Sequence, residues 1–125
     1  ENNISLIIDV PEFAKVKALP GVIEQVIDNY IDNSLDIVPG GSVITLKVES
    51  EGPFTRISVI DQGPGIPAAD LPKAFNRFWR AHSDAQGNGL GLAIVERLTR
   101  ASGGHSELIN LEPIGLSANA YFPTA

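Results

Sequence analysis

The 125-residue chain contains no cysteine. That excludes a disulfide framework and a thiolate-ligated zinc site, and it leaves the redox compartment open. Methionine is also absent, even at position 1, so the chain reads as one domain excised from a longer protein. No apolar run approaches the ~18 residues that a membrane span needs, and no charged leader followed by an apolar stretch is present. Basic residues are scarce: nine Lys and Arg face fifteen Asp and Glu, for a net charge of −6. A nucleic-acid surface wants a basic stripe, so this balance argues against one. A polyanionic ligand would need a divalent cation, loop amides or a few placed arginines.

What is present suits one globular domain with one core. Apolar residues make up 43% and charged residues 19% of the chain, which is ordinary for a soluble fold. Residues 4–10, "ISLIIDV", read as a strand. Residues 20–37 read as a helix, because Ile23, Val26, Ile27, Tyr30, Ile31 and Ser34 fall at i, i+3, i+4, i+7, i+8 and i+11. Pro20 suits its start, and Pro39-Gly40-Gly41 closes it. Residues 42–49 and 55–61 read as a hairpin turning through "ESEGP". A glycine-proline loop (62–67), a short helix or helical turns (69–79) and a polar loop (81–89) follow. A second long helix spans 90–102, stopped by Gly103-Gly104, and strands at 105–110 and 117–122 end the chain. Helices and strands interleave, yet the middle strands form an antiparallel hairpin. A mixed sheet with helices on one face therefore fits better than a doubly wound parallel sheet.

Four stretches carry chemical potential. In "GNGLGLAIV", Gly87, Gly89 and Gly91 alternate at a helix start, where free N–H groups attract phosphate and glycine permits close approach. A hinged loop packed on a helix explains them equally well. The residue after Gly91 is Leu92 rather than Lys, so this is not a Walker loop. No strand precedes it directly, so neither is it a dinucleotide fingerprint. In "VIDQGPGIP", Ile57, Val59 and Asp61 share a strand face. Asp61 thus emerges on an apolar face beside Gly63 and Gly65, where it could accept a bond from an exocyclic amine over a flat ring, or simply cap a turn. In "EQVIDNYIDNS", Asn29 and Asn33 stack on one helix face at the lip of the apolar stripe. They offer amide oxygens to magnesium, or only polar surface. In "AFNRFWRA", Phe75, Phe78 and Trp79 could anchor the polar loop, and Arg77 and Arg80 could reach phosphate or sit on the surface. His82 and His105 have no acid or metal partner nearby in sequence.

Taken in order, these stretches resemble the catalytic, ATP-binding domain of bacterial two-component sensor histidine kinases, in the superfamily shared with gyrase, Hsp90 and MutL. "NYIDNS" looks like its N box, "DQGPG" its first glycine box, "AFNRFWR" its F box and "GNGLGLAIV" its second glycine box. The resemblance runs from about residue 4 to residue 110. It implies an α/β (α+β) two-layer sandwich, the Bergerat fold, with about five strands in a mixed sheet under three helices. It also implies bound ATP and magnesium. Asp61 would hold the adenine amine beside Gly63, Gly65 and Ile66. Asn29 and Asn33 would stand at the magnesium–phosphate end. Gly87, Asn88, Gly89, Leu90, Gly91 and Leu92 would border a lid and feed amides to the phosphates, with Arg77 and Arg80 adding charge.

The superfamily's ATPases carry a glutamate where Asn29 stands. An amide cannot activate water as that carboxylate does, so phosphoryl transfer to a protein is favoured over hydrolysis. Where the family usually carries a basic residue, this chain has Asp36, which shifts weight onto Arg77, Arg80 and magnesium. "GLSANAYF" replaces the usual Gly-Thr-Ser-like ending. Neither histidine is followed by an acidic residue, so the acceptor histidine is expected upstream, on a dimerisation domain of the same parent kinase that in turn serves a response regulator. The fragment itself is expected to be monomeric, and the parent a membrane-anchored sensor with this domain in the cytoplasm. Two other functions compete: an anti-sigma-factor serine kinase of the same superfamily, which would phosphorylate a partner's serine and bind a sigma factor, and an interaction module that keeps the fold without binding nucleotide.

Overall fold

The computed structural model describes residues 3–11, 16–18, 20–75 and 91–125. Five strands form one mixed sheet: β1 (Ser5–Asp9), β2 (Val43–Glu51), β3 (Phe54–Asp61), β4 (His105–Asn110) and β5 (Leu116–Pro123), in the order β1-β2-β3-β5-β4. β1 runs parallel to β2, and the remaining pairs are antiparallel. The single parallel pair requires a crossover, and helix α1 (Val22–Ile37) lies within it. Helix α2 (Gly91–Ala101) connects toward β4.

The expected mixed sheet is thus present, with small differences. The described residues hold two α-helices, not three. Where the third was expected there is a single 3-10 turn, Leu71–Lys73, with proline near its start; residues 76–79 of that stretch lie outside the described residues. Pro72 lacks the N–H that a longer α-helix through this point would use. The hairpin is tighter than expected: β2 runs on to Glu51 and β3 begins at Phe54, so only Gly52 and Pro53 turn the chain. Pro20 lies in the turn before α1. The helix itself begins at Val22, after Gly21, whose φ of 82° belongs to the left-handed region.

Apolar periodicity becomes packing as the spacing requires. α1 buries Val22, Val26, Tyr30 and Ser34, one residue per turn. Against them stand Ile57 and Val59 of β3 and Ala118, Ala120 and Phe122 of β5, all within one buried cluster with Val95 of α2. Each large apolar side chain so buried contributes roughly 1.5–3 kcal/mol. β3 is the middle strand, and β5 beside it is likewise paired on both sides. β1 is an edge strand whose five residues are all exposed.

α2 ends in a Schellman motif. Gly103 takes φ 88°, its N–H donates to the carbonyl of Arg100, and the N–H of Gly104 reaches back to that of Thr99. On the same helix Glu96 accepts a hydrogen bond from Ser106 of β4 and another from Arg100. Partial burial works to raise the Glu96 carboxyl, but these two donors and the positive charge of Arg100 hold it below the usual carboxylate range. A depressed folded-state value means stability that is present at neutral pH and lost as pH falls through it. Glu96→Gln is therefore expected to lower stability by less than about 1 kcal/mol at pH 7. Thermal melts should show that gap narrowing as the pH falls below about 4.

Candidate functional site

The sheet and α1 meet at the carboxyl end of β3. Strand alternation puts Asp61 on the same face as Ile57 and Val59, and all three are buried. A carboxylate so placed needs donors. The N–H groups of Gly63 and Leu116 donate to Asp61 Oδ1 at 2.9 and 3.2 Å, and Ser34 Oγ donates to Oδ2 at 2.8 Å. Three elements thus converge on one side chain: β3 carries it, α1 reaches it through Ser34, and β5 reaches it at its first residue. A carboxylate has about four acceptor positions, so one remains, on Oδ2.

Glycines let the backbone pass close beside Asp61. A side chain at Gly63 would begin 3.4 Å from Asp61 Oδ1 and 3.4 Å from Val38 Cγ1. Gly65 has φ +77°, and a Cβ there would fall 2.5 Å from Asn110 Oδ1, closer than any real contact. That asparagine clamps the loop. Its Oδ1 accepts from the N–H of Ile66 at 2.8 Å, and its Nδ2 donates to the Ile66 carbonyl at 2.7 Å. Ile66 is buried beneath this clamp. Asn110 was not singled out in the sequence. It ends β4, where asparagine is an ordinary turn residue, and its partner is 44 positions away. Asn110→Ala should leave both Ile66 backbone groups without that partner, destabilise the domain by about 1–3 kcal/mol and loosen the loop; denaturant unfolding and amide exchange at Ile66 check this.

On α1, Asn29 and Asn33 are half-buried, at the edge of the stripe as their spacing requires. Asn33 directly precedes Ser34. One turn of helix therefore offers amides on one side and the hydroxyl that bonds Asp61 on the other, about 100° around the axis. Asn29 stands against the start of α2: a Cβ on Gly91 would lie 3.2 Å from Asn29 Oδ1. Glycine at 91 lets the two helices approach there. Leu92 is buried, in the same cluster as Val26 and Ile66. The structure thus brings Asp61, Gly63, Gly65 and Ile66 to the end of β3, and Asn29 against Gly91. Arg77, Arg80, Gly87, Asn88, Gly89 and Leu90 lie outside the described residues.

Ser34 belonged to the apolar stripe in the sequence. Its role as a donor to Asp61 had no local signal. One turn earlier Tyr30 is buried, and its hydroxyl donates to the Asn119 carbonyl at 2.8 Å. Burial, reinforced by the charges of Glu96 and Glu107, pushes that phenol well above its usual range, so it stays a neutral latch between α1 and β5. Among the described residues no cluster of three or more His, Cys, Asp or Glu could hold a metal ion. Amide oxygens are nonetheless hard donors suited to magnesium, which commonly takes only a few protein ligands and completes its shell with water and phosphate.

A two-layer sandwich with a buried acid at a strand end, flanked by glycines and by a helix bearing paired asparagines, defines a class of nucleotide-binding ATPase-type domain. The chain belongs to the histidine kinase-, DNA gyrase B-, and HSP90-like ATPase family, which matches residues 19–125. It is 35% identical over 112 residues to the sensor protein CreC of Escherichia coli, covering 87% of this chain and 23% of that protein. It is 36% identical over 107 residues to the sensor histidine kinase WalK of Bacillus subtilis, covering 81% of this chain and 18% of that one. The chain thus spans about a fifth of the length of these curated relatives. Among solved structures, a mycobacterial sensor histidine kinase, MprB, superposes with a TM-score of 0.88 at 26% identity, covering 98% of this chain and 84% of that one. Full-length ShkA in complex with AMPPNP superposes with a TM-score of 0.84 at 27% identity, covering 99% of this chain and 26% of that one. No helix among the described residues is long and apolar enough to cross a membrane.

Proposed function

We propose that this chain, residues 1–125, is the ATP-binding catalytic domain of a two-component sensor kinase, and that it donates the γ-phosphate of magnesium-ATP to a histidine on a separate dimerisation domain of the same parent. A response regulator would then take the phosphoryl group from that histidine. The parent is read as a membrane-anchored sensor with this domain in the cytoplasm, and the domain alone as a monomer. The observation that carries this reading is Asp61: a buried carboxylate with three donors in place and one acceptor position left, which suits the exocyclic amine of adenine. The AMPPNP bound by full-length ShkA, a structural relative, supports a nucleotide here.

Asn29 and Asn33 would hold magnesium through their amide oxygens, and the ion would neutralise phosphate charge when bound. Arg77 and Arg80 would add positive charge at the γ-phosphate. Gly87, Asn88, Gly89, Leu90, Gly91 and Leu92 would border the triphosphate. The unprotonated imidazole nitrogen of the acceptor attacks phosphorus, and the other ring nitrogen releases its proton to solvent. The bond from phosphorus to the β–γ bridging oxygen breaks, and ADP leaves. Little covalent work falls to this domain, which orients the nucleotide and stabilises charge. Asn29 does not serve as a base for water, in keeping with transfer rather than hydrolysis.

Titration calorimetry with magnesium-ATP tests the first half, and transfer from labelled ATP to the parent's dimerisation domain tests the second. The expected results are saturable binding that weakens when the metal is chelated, and an acid-labile phosphorylated product. Absence of binding at millimolar magnesium would favour an interaction module that does not use nucleotide.

A further inference from the structure

We infer that Ser34 and Asp61 act as one selector for a purine with an amino group at ring position 6, with Ser34 as its positioning residue; this rests on Asp61 being the base-binding carboxylate. Ser34 is 1% exposed and Asp61 3% exposed. A serine hydroxyl has a single proton, and at 2.8 Å from Oδ2 that proton is spent on Asp61. Both positions of Oδ1 are taken by the N–H groups of Gly63 and Leu116. The two side chains therefore present a ligand with lone pairs only: the remaining position of Oδ2 and the unshared pairs of Ser34 Oγ. An amine at ring position 6 donates into this surface. A carbonyl at the same position, as in guanine, brings a third acceptor against two others and leaves all of them unpaired, a mismatch that costs more than a merely missing contact.

Ser34 also fixes the direction of the open acceptor position. The backbone donors act on Oδ1 alone, so without the hydroxyl Oδ2 has no donor and only the two bonds to Oδ1 resist turning about Cβ–Cγ. Binding must then order it again, at the expense of affinity. Because α1 delivers Ser34 immediately after Asn33, base choice and the phosphate end of the site are set by adjacent residues of one helix.

The test compares three magnesium-bound probes by calorimetry: ATP, GTP, and purine riboside triphosphate, which has only hydrogen at position 6. The intact domain should bind ATP about tenfold or more tightly than purine riboside triphosphate, the difference made by one bond to a charged acceptor, and should bind GTP weakest. In Ser34→Ala, ATP affinity should fall by about five- to tenfold while purine riboside triphosphate is unchanged, so their ratio narrows. Ser34→Thr, which keeps the hydroxyl, should restore the ratio. Circular dichroism melts report the fold separately. If the alanine variant does not fold, Ser34→Cys, of similar size and with a weak donor, takes its place with the same expected direction. An unchanged ratio in the variant, or an equal loss for both probes, overturns the role of Ser34 while leaving Asp61 in place. Equal binding of both probes by the intact domain removes Asp61 from the base site, and this inference with it.

Discussion

Asp61→Asn is expected to weaken magnesium-ATP binding by about 1.5–3 kcal/mol, the value of a hydrogen bond to a charged acceptor, or at least tenfold in Kd. The substitution preserves shape and most of the local network. The asparagine oxygen can still accept from the Gly63 and Leu116 N–H groups, which lie on one side of the native carboxylate. The amide nitrogen then replaces Oδ2. It can donate to Ser34, whose oxygen accepts as readily as it donates. What it cannot do is accept from a ligand amine: two donors now face each other. The effect should appear in binding, with a smaller loss of stability. Calorimetry of the variant beside a chemical denaturation curve separates the two.

Gly104→Ala should produce the largest loss of stability. A Cβ at this position would lie 1.7 Å from the backbone carbonyl oxygen of Tyr121 and 2.7 Å from its carbon. No rotamer relieves a clash between a Cβ and a backbone. Either β4 and β5 part at this point or α2 loses its Schellman turn, in which the Gly104 N–H is a donor. Tyr121 is paired with His105 in the sheet, and their rings stack with centroids 4.3 Å apart, so separation also breaks that contact. A cost of about 4 kcal/mol or more belongs among the largest single-residue effects and is a large share of the ~5–15 kcal/mol that holds a domain together. The variant should melt far below the parent or fail to fold. Gly103→Ala, at φ 88° and 3.4 Å from the flexible ring of Pro123, pays chiefly for its backbone conformation and should lose only about 1 kcal/mol.

Periodic features were legible in the sequence because each is written in neighbouring residues. The 3.6-residue stripe of Val26, Tyr30 and Ser34 located α1. The alternation of Ile57, Val59 and Asp61 located β3 and the buried face from which its acid emerges. The pairing that completes the site was not legible in this way. Ser34 meets Asp61 across 27 residues and Asn110 meets Ile66 across 44, and neither asparagine nor serine signals locally which distant backbone or carboxylate it will find. Gly115 makes the same point. It reads as a loop glycine, yet it takes φ +113°, and a Cβ there would stand 2.6 Å from the Asp61 carbonyl. The exposure of β1 was hidden for another reason. "SLIID" has the apolar content of a covered strand, and only the sheet order places it at an edge.

The most direct measurement is a crystal structure of this domain soaked with a non-hydrolysable ATP analogue and magnesium. The adenine amine should lie within about 3 Å of Asp61 Oδ2, with Ser34 still donating to that same oxygen and the triphosphate running toward Asn29 and Asn33. An adenine ring seated elsewhere, or Asp61 enclosed by its three donors with no ligand at its fourth position, would contradict the assignment.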